Sequence, residues 1–282
     1  MKLSISELAR RPSVITQNRR LVYVIAASVI LLIDLFRRLI SGELLISLLV
    51  GYLWSGLTFG VIVGLAGVGL SLTYDLLGFA NFAHGDYITV SAFTGWGAAY
   101  LIAGAGQYEL GSLFFLGVGG TLYPGDIGIN VANTPGAIIG GLVVAAVAGA
   151  VIAVILDRMI YRSMRESGAI TLLIASVGVA FVLRYLTVYV FTQQSFGLTV
   201  SAQTYDLTVS GGTLSVSVSS LVLVGISVIT MFSVHLMLTR TTLGKAMRAM
   251  GDNRDLARVT GIPAERVIRT TWIVGGALAG IA

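Results

Sequence analysis

Asn81, His84 and Asp86 fall within six positions of one another in the stretch "GFANFAHGDYITV", Gly78 to Val90, between two long apolar runs. An amide, an imidazole and a carboxylate so spaced can cap helix starts, pass protons or hold a small polar solute. Gly78 and Gly85 supply the turns that would bring them together. A helix end inside hydrocarbon leaves backbone groups without partners, which is tolerated only where protein or a water-filled cavity supplies them. The stretch therefore reads as a polar break between two helices, with Phe82 and Gly85 completing the candidate set. An ionisable residue at such a break is a functional-site hypothesis by default. In the plainer alternative, Asn81 and Asp86 cap two helices and His84 satisfies a buried carbonyl.

The elements around that stretch are dictated by composition. Of 282 residues, 56% are hydrophobic and 11% charged, and the mean hydropathy is +0.90. Several runs reach the roughly 20 residues a helix needs to cross a bilayer, so the chain reads as all-α, a polytopic transmembrane helical bundle. Cysteine is absent and there are only two histidines, His84 and His235, far apart. Disulfides and thiolate metal sites are excluded, and no metal-ligand spacing is present. The net charge of +5 comes from arginine-rich ends and loops, which in such a chain reads as topology and not as nucleic-acid binding.

About seven spans are expected: Leu21 to Phe36, a second within Leu44 to Tyr74, Tyr87 to Ala105, Ala137 to Leu156, Ala169 to Phe191, Leu221 to Leu238, and one starting near Val267. In the second, Tyr52 and Trp54 stand about 33 Å along a helix from Tyr74, which suits two interfacial belts. The strongly basic connections, Asp157 to Arg165 and Thr239 to Arg269, are expected in the cytoplasm. Counting back places the tail, residues 1–20, inside as well, while Arg37 and Arg38 fall outside against the rule. Residues 21–282 then form the membrane domain. The segment from Gly104 to Thr134 holds a short apolar piece, Leu110 to Leu122, that reads as re-entrant or as lying on the outer face. "SFGLTVSAQTYDLTVSGGTLSVSVSS" alternates around Gly211-Gly212 and predicts a small extracytoplasmic β-hairpin. Gly56, Gly60 and Gly64 recur at every fourth position, as do Gly136/Gly140 and Gly276/Gly280, and predict close helix contacts.

A second informative stretch runs from Gly244 to Gly280. Asp252 reads as an N-cap with Asp255 in an acidic first turn, and Ala257 continues the helix. Gly261 suits a left-handed C-cap, Ile262 folds back, and Pro263 stops continuation. The pattern predicts a short charged helix outside the membrane between two spans, shaped for a groove on another protein or serving as an ordinary surface loop helix.

"LGFANFAHGDYITVSAF" resembles the "NFAHGE" signature of the branched-chain amino acid ABC transporter permeases of the LivH type. "DLARVTGIPAERVI" is similar to that family's coupling loop, a relaxed Glu-Ala-Ala-x-x-x-Gly pattern with Asp255 in place of glutamate. "DRMIYRSMRESGAITLLIASVGVAFVLR" is similar to the segment between the family's fourth and fifth spans. The resemblance runs from about Trp54 to Ala282 and is interrupted at Gly104 to Thr134.

The resemblance implies a non-catalytic, multi-pass subunit of an importer in the cytoplasmic membrane of a prokaryote, carrying branched-chain or related amino acids, amides or urea. Implied partners are two ATP-binding cassette subunits, a second homologous permease and an extracytoplasmic binding protein, all around a lipid bilayer. ATP and Mg would sit on the partners, since the chain has no G-x-x-x-x-G-K-[ST] loop; no cofactor or metal is expected here and no nucleic acid. Asn81, Phe82, His84, Gly85 and Asp86 become candidates for the translocation pathway. The loop 239–266, with Gly244, Arg248, Asp252, Asp255, Ala257, Gly261 and Ile262, becomes the candidate coupling element, and Gly56, Gly60, Gly64, Gly276 and Gly280 the packing positions. Family members continue beyond this loop, so the chain reads as truncated at Ala282. Two other classes compete: an ion-coupled secondary transporter acting alone, with Asp75 and Asp86 as its carboxylates, and an intramembrane hydrolase using His84 with Ser71 or Ser91.

Overall fold

A computed structural model describes residues 14–104, 128–191, 197, 203–209 and 212–282. The expected re-entrant piece at 110–122 and the first thirteen residues of the tail lie outside the described residues, as does Gly211. The helices are α1 (Val14–Ile40), α2 (Ile46–Leu77), α3 (His84–Ala103), α4 (Pro135–Leu156), α5 (Ala169–Phe191), α6 (Val218–Arg240), α7 (Thr242–Asp252), α8 (Arg254–Val259) and α9 (Ala264–Ile281). A π-helix, Asp157–Tyr161, and a single turn, Arg162–Met164, extend α4. The two strands β1 (Thr204–Val209) and β2 (Gly212–Ser217) pair as the expected hairpin.

Each expected span falls on a helix. None of α1, α3 and α9 is both long and apolar enough to cross a membrane, so the expected count of about seven spans is not reached among the described residues. Among the described residues, four segments are long and apolar enough to cross a membrane: Ile46–Leu77, Pro135–Met164, Ala169–Phe191 and Val218–Arg240. Their outward faces are apolar, with Val143, Val147, Ile174, Phe181, Ile229 and Phe232 all exposed, as expected where lipid and not water is the solvent. The chain is thus a multi-pass helical membrane protein.

Residues 1–54 together with 206–215 form one compact unit. Within it, α1 takes in the last part of the basic tail and exposes nearly every apolar side chain from Leu21 to Ile33. Asp34 accepts hydrogen bonds from Arg37 and, at 2.8 Å, from Arg38. Both arginines are thus paired with one carboxylate, and Glu43 approaches Arg37 as well, at 3.6 Å. Gly51 approaches Leu214 of β2, and Gly212 sits against Ser47.

The second unit comprises residues 55–205 and 216–282. At its centre is α4, whose buried positions are Ala137, Gly141, Ala145, Gly149 and Ala153, every fourth residue and all small. That stripe lets two backbones come close on one face. A Cβ on Gly141 would meet the Gly95 carbonyl and Ala99 of α3; one on Gly149 would land on the Gly276 carbonyl of α9. Gly276 and Gly280 in turn lie against Gly149 and Ala145. So α3, α4 and α9 form the tight bundle that positions everything else.

The glycine pattern expected on α2 is used differently. Among the described residues a Cβ on Gly56 or Gly60 would meet nothing, and one on Gly64 would meet the Met231 methyl of α6 at 3.1 Å. Gly136 also faces open space, while Gly140 is closed off by Ile102. The stripe that does the packing on α4 is offset by one residue from the glycine pair, because alanines complete it.

Candidate functional site

The break between α2 and α3 is six residues long and folds back on itself. Gly78 ends α2 with φ +72, a backbone conformation costly for other residues. From there the chain needs partners for its freed groups, and side chains supply them. The Asn81 Oδ1 accepts the Ala83 N–H at 3.1 Å and the Tyr161 hydroxyl at 3.3 Å. The Phe82 N–H donates to Ser176 Oγ of α5 at 3.1 Å. The Asn81 carbonyl accepts from His84 N–H at 3.1 Å, which starts α3.

His84 then reaches across to α2, its Nε2 at 3.0 Å from the Ala66 carbonyl. With that assignment Nε2 carries the proton. Asp86 in the first turn of α3 pairs with Arg184 Nε of α5 at 3.2 Å. Tyr87 donates to the Tyr161 hydroxyl, and the Tyr161 ring stacks on Trp272 of α9 at 5.2 Å. The polar groups of the break thus tie α2, α3, α5, the π-helix and α9 together.

Exposure divides the five candidates. Asn81, His84 and Asp86 are buried at 2%, 5% and 4%, so their polar atoms serve the protein's interior. Phe82 and Gly85 present the surface of the break. The N-cap position of α3 is Ala83, which has no capping side chain; Asn81 bonds the Ala83 N–H ahead of the helix, and Asp86 lies within its first turn. Ser91, weighed as a nucleophile, is fully buried against Gly149 of α4.

Arg184 was not singled out from sequence, although it is the lone charged residue in the apolar run Ala169–Phe191. It lies about 22 Å along α5 from the helix start. Its side chain is 62% exposed in the isolated chain while its partner carboxylate is buried. Burying a charge at membrane depth costs about 3 kcal/mol on insertion scales, so such residues face protein or water and not lipid tails. The open side of Arg184 marks a face of that kind. Tyr161 and Ser176 were also missed, since neither belongs to the quoted stretch.

A cleft of about 440 Å³ lies between α2, α3, α4, α6 and α9, lined among others by Ile62, Gly95, Trp96, Ile226 and Ser227. Its walls are mostly apolar with a few hydroxyls, the usual make-up of a site for a small amphiphilic solute.

At the loop that follows α6, Thr241 caps α7 by accepting the Gly244 N–H at 3.1 Å. A Cβ on Gly244 would fall on the Leu238 backbone, so this position locks the turn between α6 and α7. Arg248 and Asp252 on α7 line a shallow cleft with Asp75 and Thr271. The N-cap of α8 is Asn253, which accepts the Leu256 N–H at 3.0 Å. This corrects the expectation for Asp252, which ends α7; Asp255 does occupy the first turn. At the other end Gly261 has φ +87, its N–H reaches the Arg258 carbonyl, and Ile262 N–H reaches the Ala257 carbonyl at 3.1 Å. That pair of bonds is the Schellman arrangement, with Gly261 in the left-handed position.

Ala257 is buried against the bundle, whereas Leu256 and Val259 are 61% and 86% exposed. An apolar outer edge on a six-residue helix gains nothing within the chain. Burial, with Arg258 and Arg165 nearby, pulls the Arg254 guanidinium below the usual arginine range. No cluster of three or more metal-ligating side chains occurs among the described residues.

The family described as branched-chain amino acid transport system / permease component matches residues 52–282. The chain is similar to the high-affinity branched-chain amino acid transport system permease protein LivH of Escherichia coli K12, with 26% identity over 235 residues, 82% of this chain and 68% of that protein. It is similar to the corresponding permease BraD of Pseudomonas aeruginosa, with 21% identity over 232 residues, 81% and 67% of the two chains. LivH of Salmonella typhimurium is 22% identical over 235 residues, 82% and 68%. No solved structure matches.

Proposed function

From the premise that this chain belongs to the branched-chain amino acid transport permease family, we propose that it is the membrane-spanning subunit of an ATP-binding cassette importer. Its substrates are branched-chain amino acids, with related amino acids, amides and urea as further candidates. ATP hydrolysis, with its Mg, takes place on two partner subunits; a second permease completes the path, and an extracytoplasmic binding protein delivers the solute. Residues 21–282 are the membrane domain and 239–266 the coupling loop.

The observation that carries this reading is α8. It is capped at both ends, held to the bundle through Ala257, and turns Leu256 and Val259 outward. An apolar edge of that kind, on a helix fixed between two spans, fits a groove on a soluble partner. Gly244 and Gly261 fix its approach and exit, Arg248, Asp252 and Asp255 supply the surrounding charge, and Ile262 closes the turn. The basic connections at 157–165 and 239–269 meet through an ion pair between Arg165 and Glu265, which supports placing both on the cytoplasmic side with the tail.

In this reading Phe82 and Gly85 border the solute path, and Asn81, His84 and Asp86 brace it from within. The apolar cleft beside Trp96 and Ser227 suits a solute that pairs an apolar side chain with polar ends. The open face of α2 at Gly56 and Gly60 is offered to the second permease.

The test is purification of the native protein from its own membranes in mild detergent, followed by identification of what accompanies it. ATP-binding subunits with a phosphate-binding loop and a second permease are expected. A chain that purifies alone, and whose uptake follows an ion gradient with ATP depleted, would sink the reading in favour of a secondary transporter.

A further inference from the structure

Arg165 is nine-tenths buried at the end of the extended α4. Its Nη2 donates to both oxygens of Asp157, at 2.6 and 2.8 Å. Its Nη1 donates to both oxygens of Glu265, at 2.9 and 3.2 Å. One guanidinium therefore bridges two carboxylates, one on each terminal nitrogen, which a single ammonium could not do in this spread geometry. Glu265 lies in the first turn of α9, two residues beyond the Pro263 that ends the loop after α8. Asp157 opens the π-helix, an arrangement rare in proteins and enriched at functional sites.

Further observations surround the same place, and one residue among them, Arg254, is on α8. Arg162 approaches Glu265 from the same side, at 3.6 Å. Arg254, the first residue of α8, is close enough for the Arg165 charge to act on its guanidinium. The Nε atoms of Arg165 and Arg254 are both buried with no hydrogen-bond partner among the described residues. Glu265 thus attracts Arg165 while Arg254 is repelled by it, so a displacement of α8 changes the balance at one buried guanidinium. The rest of the loop is held chiefly by apolar contacts through Ala257, Met247 and Met250.

We propose that Arg165 is a positioning residue that latches the coupling loop to the membrane helices: through Asp157 it holds the π-helical end of α4, and through Glu265 it holds the exit of the loop, so that movement imposed on α8 reaches α4 and α9 as one body. The proposal rests on the importer reading, because a latch transmits only if a partner moves α8. It assigns a role to a connection whose sequence shows only basic character, and it explains why a charged network is kept buried where hydrophobic residues of like volume would serve stability as well. Without this bridge, movement of α8 would reach α4 only through the apolar contacts of the loop and the packing of α9 on α4.

The main variant is Glu265→Gln, because Glu265 is half-exposed and the Arg165–Asp157 pair survives the change. Arg165→Lys is the second, since a point charge cannot serve both carboxylates with paired bonds. The chain lacks cysteine, so Val259→Cys, at an exposed position of α8, takes a spin label without background. In the purified full chain the label is expected to become more mobile in either variant, with the melting temperature little changed for Glu265→Gln. In the native complex reconstituted into vesicles, solute taken up per ATP hydrolysed is expected to fall roughly 2- to 30-fold, the range seen when coupling positions are altered, while ATP hydrolysis persists. Unchanged label mobility would overturn the latch. Increased mobility with an unchanged uptake-to-hydrolysis ratio would overturn its part in coupling. Purification without ATP-binding subunits would remove the importer reading itself, and the proposal with it, a result distinct from either label outcome.

Discussion

The break at residues 78–86 and the loop around α8 use similar residue types and turn them in opposite directions. In the break, Asn81, His84 and Asp86 point inward, and a hydrogen bond or ion pair reaches each of them from another element: Tyr161, Ala66 and Arg184. Around α8, Asn253 and Gly261 close only the helix's own ends, and the apolar residues Leu256 and Val259 are left outside. The contrast follows from burial, which is deep in the break and shallow around α8. Where no water is available, a freed backbone group has to be paired by the protein, so polar residues are drawn into long-range bonds. Where water is available, caps suffice, and apolar exposure is retained only where another surface will cover it.

If the break depends on a rigid bundle, the largest effect will come from the helix crossing beneath it. Gly149→Leu places a side chain on the Gly276 carbonyl, and Ser91 Oγ crowds the same spot. Backbone cannot yield as a side-chain tip would, so about 3 kcal/mol of stability should be lost, seen as a large fall in melting temperature in detergent. Gly56→Leu faces open space among the described residues and should shift the purified chain's melting temperature by no more than about 0.5 kcal/mol equivalent. Equal shifts for the two would remove the distinction between packed and open glycines.

The next effect separates the inward ion pair from the caps. Asp86→Ala leaves Arg184 as a lone charge within an apolar span, and a loss of about 2 kcal/mol is expected, reduced from the fully buried case because Arg184 is largely exposed. Adding Arg184→Met should return most of it. A double variant no more stable than Asp86→Ala alone would show that Asp86 supports the break by some route other than this pair.

The all-helical membrane fold, the hairpin and the C-terminal end of α8 were legible in sequence because each rests on a local rule: runs of apolar residues, alternation around a glycine pair, a glycine before a proline. The bracing of the break was not. Tyr161, Ser176 and Arg184 lie 80 to 103 positions along the chain from Asn81, and no local pattern announces such partners. A lone arginine in an apolar run was the one signal that could have been read. Small residues also carry little information about which neighbour they meet. Gly56 and Gly276 have the same spacing to their companions, yet among the described residues one is open and the other is closed by backbone. The N-cap of α8 was displaced by one residue because Asp252 and Asn253 are both good caps, and α7 continues through the first of them.

Asn253→Ala tests that assignment with a smaller effect. Losing an N-cap costs about 1 kcal/mol, roughly a fivefold rise in local opening. Amide exchange at Leu256, whose N–H the cap accepts, should speed up by about that factor, while exchange in α3 and α4 stays as it was. Asp252→Ala should leave Leu256 unaffected; acceleration by Asp252→Ala instead would return the cap to the earlier residue.

The smallest effect on the chain alone should be the most telling about function. Leu256→Ser combined with Val259→Ser removes two exposed apolar side chains that contribute almost nothing inside the chain, so the melting temperature should hold within about 0.5 kcal/mol equivalent. The same change removes the apolar edge offered to a partner, and interface anchors of this kind carry a large share of binding energy. Recovery of ATP-binding subunits with the variant should therefore fall sharply although its fold is intact. If the variant retains those subunits at the wild-type level, α8 is an ordinary surface helix and the comparison with the break loses its outward half; if it loses stability as well, the exposed edge was part of the fold after all.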